Sequence, residues 1–186
     1  MELKDWFAKG LSPKEYIEGM KVNKEAMKGV YKRFSLADEE KDRLEKVKGT
    51  GMKVIAITED WCGDAMLNNP ILLKISEEIG AEVRFILRDQ NLELMDQYLT
   101  NGVSRAIPIF IFIDKEGEEQ AVWGPRAIRV QEIVDDERSK LPAQEDEDFK
   151  EKQMNMYKRL TASYHQDSEI WHTVANSIID ALVSEK

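Results

Sequence analysis

Trp61-Cys62-Gly63-Asp64-Ala65 holds the only cysteine of the 186 residues, and with it the chain's one soft nucleophile. The segment before it, Lys53-Val-Ile-Ala-Ile-Thr58, reads as a short buried strand. Glu59 to Ala65 then turns, and a helical pattern begins at Met66. A cysteine at a strand-to-helix junction lies near the positive end of the helix dipole, which favours thiolate over thiol. Thiolate is the form that attacks disulfides and peroxides. Trp61 is expected to shield the sulfur or anchor the turn, and Gly63 to let the backbone approach at the helix start. Asp64 acts in two directions, since it can cap the helix while its charge raises the pKa of the neighbouring thiol. Glu59 and Asp60 are expected to push the same way.

Other chemistry is thin. His165 and His172 are seven residues apart on one helical face, with no ligand set beside them, so they are read as part of a packed seam with Tyr164 and Trp171. No metal and no cofactor is assigned. Arg105 is close to the loop before Pro108 and is read as solvated. The chain contains no phosphate-cradling glycine loop, no nucleophilic serine elbow and no paired-carboxylate site.

Elements must position that thiol. Glu82 to Arg88 reads as a strand, Leu92 to Leu99 as a helix, and Pro108 to Asp114 as a further strand. Gln120 to Trp123 should pair antiparallel with it through a turn at Gly117. A helix carrying Ile128, Val130, Ile133 and Val134 closes this core. Ahead of it, Leu3, Trp6, Phe7 and Leu11 fall at helical spacing. Ser12-Pro13-Lys14-Glu15 then reads as an N-cap, a first-turn proline and a capping-box glutamate. A third helix is expected from Lys24 to Phe34, and a fourth, capped by Ser35 or Asp38, carries Leu44 and Val47. Glu145 to Val183 reads as one long amphipathic helix or two in series, expected to pack on the N-terminal helices, with pairing to a second subunit as the lesser alternative. No internal repeat or low-complexity segment is evident.

In the thioredoxin superfamily the active-site turn is usually Trp-Cys-Gly-Pro-Cys, and Trp61-Cys62-Gly63-Asp64-Ala65 resembles it. Gly102-Val-Ser-Arg-Ala-Ile-Pro-Ile-Phe-Ile-Phe-Ile-Asp114 looks like the superfamily's Ile-Pro step, in which a cis proline faces the cysteine. The resemblance implies an α/β thioredoxin-like fold, a central mixed sheet flanked by helices, with helical N- and C-terminal extensions. The expected units are a helical extension over 1–48, the thioredoxin-like domain over 49–135, and an acidic connector with an amphipathic helix over 136–186. It also implies Cys62 as the reacting residue, and a strand-like substrate contact at Ile107 and Pro108. Two departures stand out. The family's resolving cysteine corresponds to Ala65, and its buried aspartate, six residues before the nucleophile, corresponds to Ala56. Their joint absence excludes an ordinary dithiol reductase and reads as a natural adaptation.

Composition narrows the setting. With 42% hydrophobic and 34% charged residues the chain has the makeup of a globular protein. No apolar run approaches the roughly 20 residues that span a bilayer. Met1 to Phe7 carries early charges and no apolar signal core, and one cysteine gives no disulfide framework, so a reducing cytoplasm is expected. The net charge of −9 is uneven, because residues 1–50 carry 12 Lys/Arg against 10 Asp/Glu. Glu132 to Glu151 holds nine acids and three bases, read as a solvated connector that repels nucleic acid and anionic membranes. The oligomeric state is not legible.

Two functions follow. One is a monothiol oxidoreductase or redox-responsive thiol, in which Cys62 attacks a mixed disulfide of a protein or low-molecular-weight thiol and a second small thiol releases it. The other is a thioredoxin-fold binding module with little catalysis. The Trp-Cys-Gly turn together with the Ile-Pro step tips the sequence reading to the first.

Overall fold

A computed structural model describes residues 1–184. The order of elements is α1 (Leu3–Lys9), α2 (Pro13–Gly19), α3 (Lys24–Arg33), α4 (Asp38–Leu44), β1 (Lys53–Thr58), α5 (Gly63–Ile79) and β2 (Glu82–Leu87). A 3-10 turn at Arg88–Gln90 leads to α6 (Leu92–Met95), β3 (Ile109–Ile113), β4 (Glu119–Trp123), α7 (Ile128–Ser139), α8 (Phe149–Gln166) and α9 (Ser168–Val183). The sheet order is β2-β1-β3-β4, with β1 parallel to β2 and the other pairs antiparallel. This mixed sheet with flanking helices is the α/β thioredoxin-like architecture, with helices added at both ends.

Both central strands are buried on both faces, which is why they read as unbroken apolar runs rather than alternating ones. Val54, Ala56, Phe110 and Phe112 face a core built with α2, α3, α5, α8 and α9. Ile55, Ile57, Ile109, Ile111 and Ile113 face a smaller core closed by Trp6, Phe7, Leu94 and Met95. Ala56 is thus a packed methyl where the resemblance implied a carboxylate.

Several local expectations are corrected. Leu11 is not helical. It exchanges main-chain hydrogen bonds with Phe85 at the edge of β2, at 2.9 and 2.8 Å. The helix at the thiol begins at Gly63, three residues earlier than the pattern suggested, and the helix from Leu92 stops at Met95. Ile128 is 80% exposed, so α7 closes the core through Val130 and Val134 alone among its fully buried residues. The N-cap of α4 is Ala37, and Glu40 accepts from its N–H at 2.8 Å. The capping box at Ser12 and Glu15 forms in full. The tail divides at Asp167, whose carboxylate accepts from the N–H groups of Glu169 and Ile170 and starts α9.

α8 and α9 lie against α3, α4 and α5. Glu40 fastens this junction from a 3% exposed position, with His172 Nδ1 and Asn176 Nδ2 each at 2.9 Å from its Oε1. Removing that carboxylate takes the acceptor from the Ala37 N–H at the start of α4 and the partner from His172 Nδ1, while Asn176 Nδ2 keeps the His172 carbonyl at 2.9 Å. Glu40→Ala is expected to cost about 3 kcal/mol. In a chain of this size that lowers Tm by roughly 6–12 °C, read by calorimetry, with Glu40→Gln recovering part of the loss.

Candidate functional site around Cys62

Cys62 is the N-cap of α5, in extended backbone, and its carbonyl accepts the first helical hydrogen bond from Met66 N–H at 3.0 Å. The turn before it is pinned from two sides. Asp60 Oδ2 accepts from the N–H groups of Lys21 and Val22 at 2.7 and 3.2 Å, and Glu59 accepts from Asp89 N–H at 2.8 Å. These two carboxylates are therefore spent on holding the turn. They are not the groups that set the thiol.

The Ile107–Pro108 peptide bond is cis, and the Cys62 thiol donates to the Ile107 carbonyl across 3.4 Å. Gly124, at φ +130, lets β4 end directly against Pro108. Trp61 is half exposed, with the Arg88 guanidinium 4.9 Å from its ring centroid. Arg105 is exposed, as expected, and pairs there in two places with Asp96, at 2.6 and 2.9 Å.

Asp64 points inward. Arg126 grips it in bidentate fashion, Nε to Oδ1 at 2.9 Å and Nη2 to Oδ2 at 2.6 Å, and donates from Nη1 to Gln131 at 2.8 Å. Burial pushes the Asp64 carboxyl up, with Arg126 opposing. Cys62 is itself only 9% exposed, and burial first, then the Asp64 charge, pushes its thiol up to about 11. The N–H groups of Ala65 and Asp64 and the Arg126 charge pull it down, but they lose. The helix terminus acts in the expected direction and is outweighed.

A cleft of ≈ 350 Å³ opens beside the sulfur, lined by Trp61, Arg126, Leu160, Thr161 and Tyr164 along with Cys62 itself. α8 supplies its outer wall and passes so close that a Cβ on Gly63 would meet Thr161 Oγ1 at 3.3 Å. Ala65 is buried below the turn. The structure thus brings Trp61, Cys62, Gly63, Asp64, Ala65, Ile107 and Pro108 to one place. Sequence reasoning missed Arg126 and Tyr164. The available signal was Asp64, since an acid in a buried first turn beside a cysteine calls for a cation. Among the described residues, no group of three His, Cys, Asp or Glu could hold a metal, and no helix is long and apolar enough to cross a membrane.

Comparison with known proteins bears on the fold and the family. A family model described as Thioredoxin matches residues 10–138. No curated protein matches the chain. A crystal structure of a protein of unknown function from Pseudomonas aeruginosa aligns at 15% identity and TM-score 0.69, covering 96% of this chain and 95% of that one. An HIV epitope-scaffold aligns at 14% identity and TM-score 0.68, over 96% and 97%. Oxidised thioredoxin O2 from Arabidopsis thaliana reaches 23% identity over 53% of this chain and 85% of its own, at TM-score 0.33.

Proposed function

Because the chain belongs to the thioredoxin family, we propose that it keeps the family's substrate groove while holding Cys62 as a resting thiol of low reactivity. It is then a catalytically weak thioredoxin-like binding protein. Trp61, Ile107 and cis Pro108 grip an extended segment of a partner protein, and the helical extensions over 1–48 and 136–186 set which partner fits the 49–135 unit. A reducing cytoplasm suits a single free thiol.

The observation that carries this reading is the state of Cys62. It is buried, hydrogen-bonded to Ile107 and pushed up to about 11. At pH 7 such a thiol is ionised in only about one molecule in 10,000. No second cysteine is present to resolve a mixed disulfide.

One observation favours a second reading, monothiol exchange: the cleft beside the sulfur has room for a small thiol. In that reaction the Cys62 thiolate attacks a protein–S–S–R disulfide, forming Cys62–S–S–R and releasing the protein thiolate. A second R–S⁻ then yields R–S–S–R and frees Cys62.

The pH dependence of iodoacetamide alkylation separates the two. The expected midpoint is above about 8.5, the value of a free thiol. A midpoint below about 7 overturns the binding reading and directs attention to mixed-disulfide substrates. Extended peptides selected on the immobilised protein should bind Cys62→Ser as well as the native chain, and bind Trp61→Ala more weakly.

A further inference from the structure

We propose that the cavity between α2, α3, α5 and the outer edge of β2 is a binding site for a small apolar carboxylic acid. It lies apart from Cys62 and owes nothing to thiol chemistry. Its volume is ≈ 460 Å³, and Ile17, Met27, Leu73 and Val83 give it apolar walls. Sites for small molecules run from about 300 to 1,000 Å³, mostly apolar with a few convergent polar groups.

Besides Arg84 Nε, which is buried without a partner among the described residues, two features in its wall lack what a folded protein normally supplies. The first is Ser76, 2% exposed, whose Oγ has no hydrogen-bond partner among the described residues. Leaving a buried hydroxyl unmatched is costly, so such a group points to a missing ligand atom. The second is the sheet edge. Phe85 spends its outward N–H and C=O on Leu11, which is the single pairing on that side of β2 among the described residues. Main-chain groups alternate along a strand, so Val83, two residues earlier, aims its own N–H and C=O at the same edge. No strand among the described residues covers it. The chain that would have done so turns away at Ser12, because Pro13 opens α2. Val83 is nonetheless 4% exposed and faces the cavity.

A buried hydroxyl and an edge main-chain N–H, both on residues in the wall of an apolar space, suit a carboxyl oxygen. The charges around the cavity also favour an acid over an amine. Glu77 is taken by the Tyr31 hydroxyl and by Lys74 at 3.5 Å, and Glu82 by Arg84 at 2.5 Å. Lys14 and Lys28, also lining the cavity, hold only exposed partners, Glu18 at 3.9 Å and Glu25 at 3.2 Å. Such exposed pairs contribute little and are readily exchanged for an incoming carboxylate.

Titrating the full chain with decanoate, followed by backbone amide NMR, tests the assignment. Shifts are expected at Ser76, Val83 and Ile17, with affinity reduced about tenfold in Ser76→Ala. Ile17→Trp, on the partly exposed wall, should fill the space and abolish binding with its circular dichroism unchanged. Cys62→Ser should bind as the native chain does, so the result stands independently of the thiol. Absence of decanoate binding overturns the site, as do shifts that map elsewhere or equal affinity in both cavity variants. Decanol binding as tightly as decanoate overturns the carboxylate assignment.

Discussion

Asp64→Asn is expected to lower the pH midpoint of Cys62 alkylation by about one unit and to raise the rate at pH 7 about tenfold. Asp64 pushes the thiol upward, second only to burial. Asparagine keeps an oxygen for Arg126 but removes the negative charge. The Arg126 guanidinium, previously neutralised at 2.6 Å, then acts on the sulfur as an uncompensated cation. Both changes favour thiolate. Burial persists, so the midpoint should stay above that of an exposed cysteine. Weakening a buried, bidentate pair also carries a stability cost of about 1–3 kcal/mol, seen as a lower urea midpoint. A double variant with Arg126→Gln isolates the two contributions: it should lose part of the gain in rate, because the cation is gone as well. An unchanged midpoint in Asp64→Asn would mean that burial alone sets the thiol. The partial activation would then have to come from opening α8.

Gly124→Ala should be the most damaging small substitution in the chain. The backbone there sits at φ +130, a conformation that only glycine adopts without strain. A Cβ would lie 2.2 Å from the Pro108 carbonyl oxygen and 3.2 Å from the Ile109 Cα. Both are main-chain atoms, so no rotation of a side chain relieves the overlap. A loss of about 3–5 kcal/mol is expected, which is roughly 10 °C or more in Tm for a chain of this length. The overlap falls on the loop that holds Ile107 against Cys62, so alkylation should also quicken as that 3.4 Å contact loosens. Gly19→Ala is the matching control. Gly19 ends α2 with nothing within 4 Å of the added Cβ, and the change there should be neutral or slightly stabilising. Equal melting temperatures for the two variants would refute the close approach of β4 to the Pro108 loop.

Much of the fold was legible because it rests on local rules. β1 was readable to the residue, since Lys53 to Thr58 is an apolar run between breakers. The start of α2 was equally plain, because Ser12, Pro13 and Glu15 satisfy their hydrogen bonds within a few residues. Leu11 was misread for the complementary reason. Its spacing continues that of α1, but a partner 74 positions away, Phe85, captures its main chain. Ile128 likewise follows a helical apolar pattern, yet it stays 80% exposed.

The candidate site divides along the same line. Sequence alone determined that a single thiol stands at the N-terminus of a helix, that no second cysteine can resolve a disulfide, and that an Ile-Pro step follows. These are facts of composition and of short-range geometry. Whether that thiol is activated was decided only by tertiary structure. The helix dipole is local and favours thiolate, but the desolvation that opposes it comes from α8, more than eighty residues downstream, and from the loop at Ile107. Asp64 turned inward because Arg126, 62 positions away, was there to meet it. Dielectric and charge at a point depend on everything packed around it, and no window of sequence contains that sum.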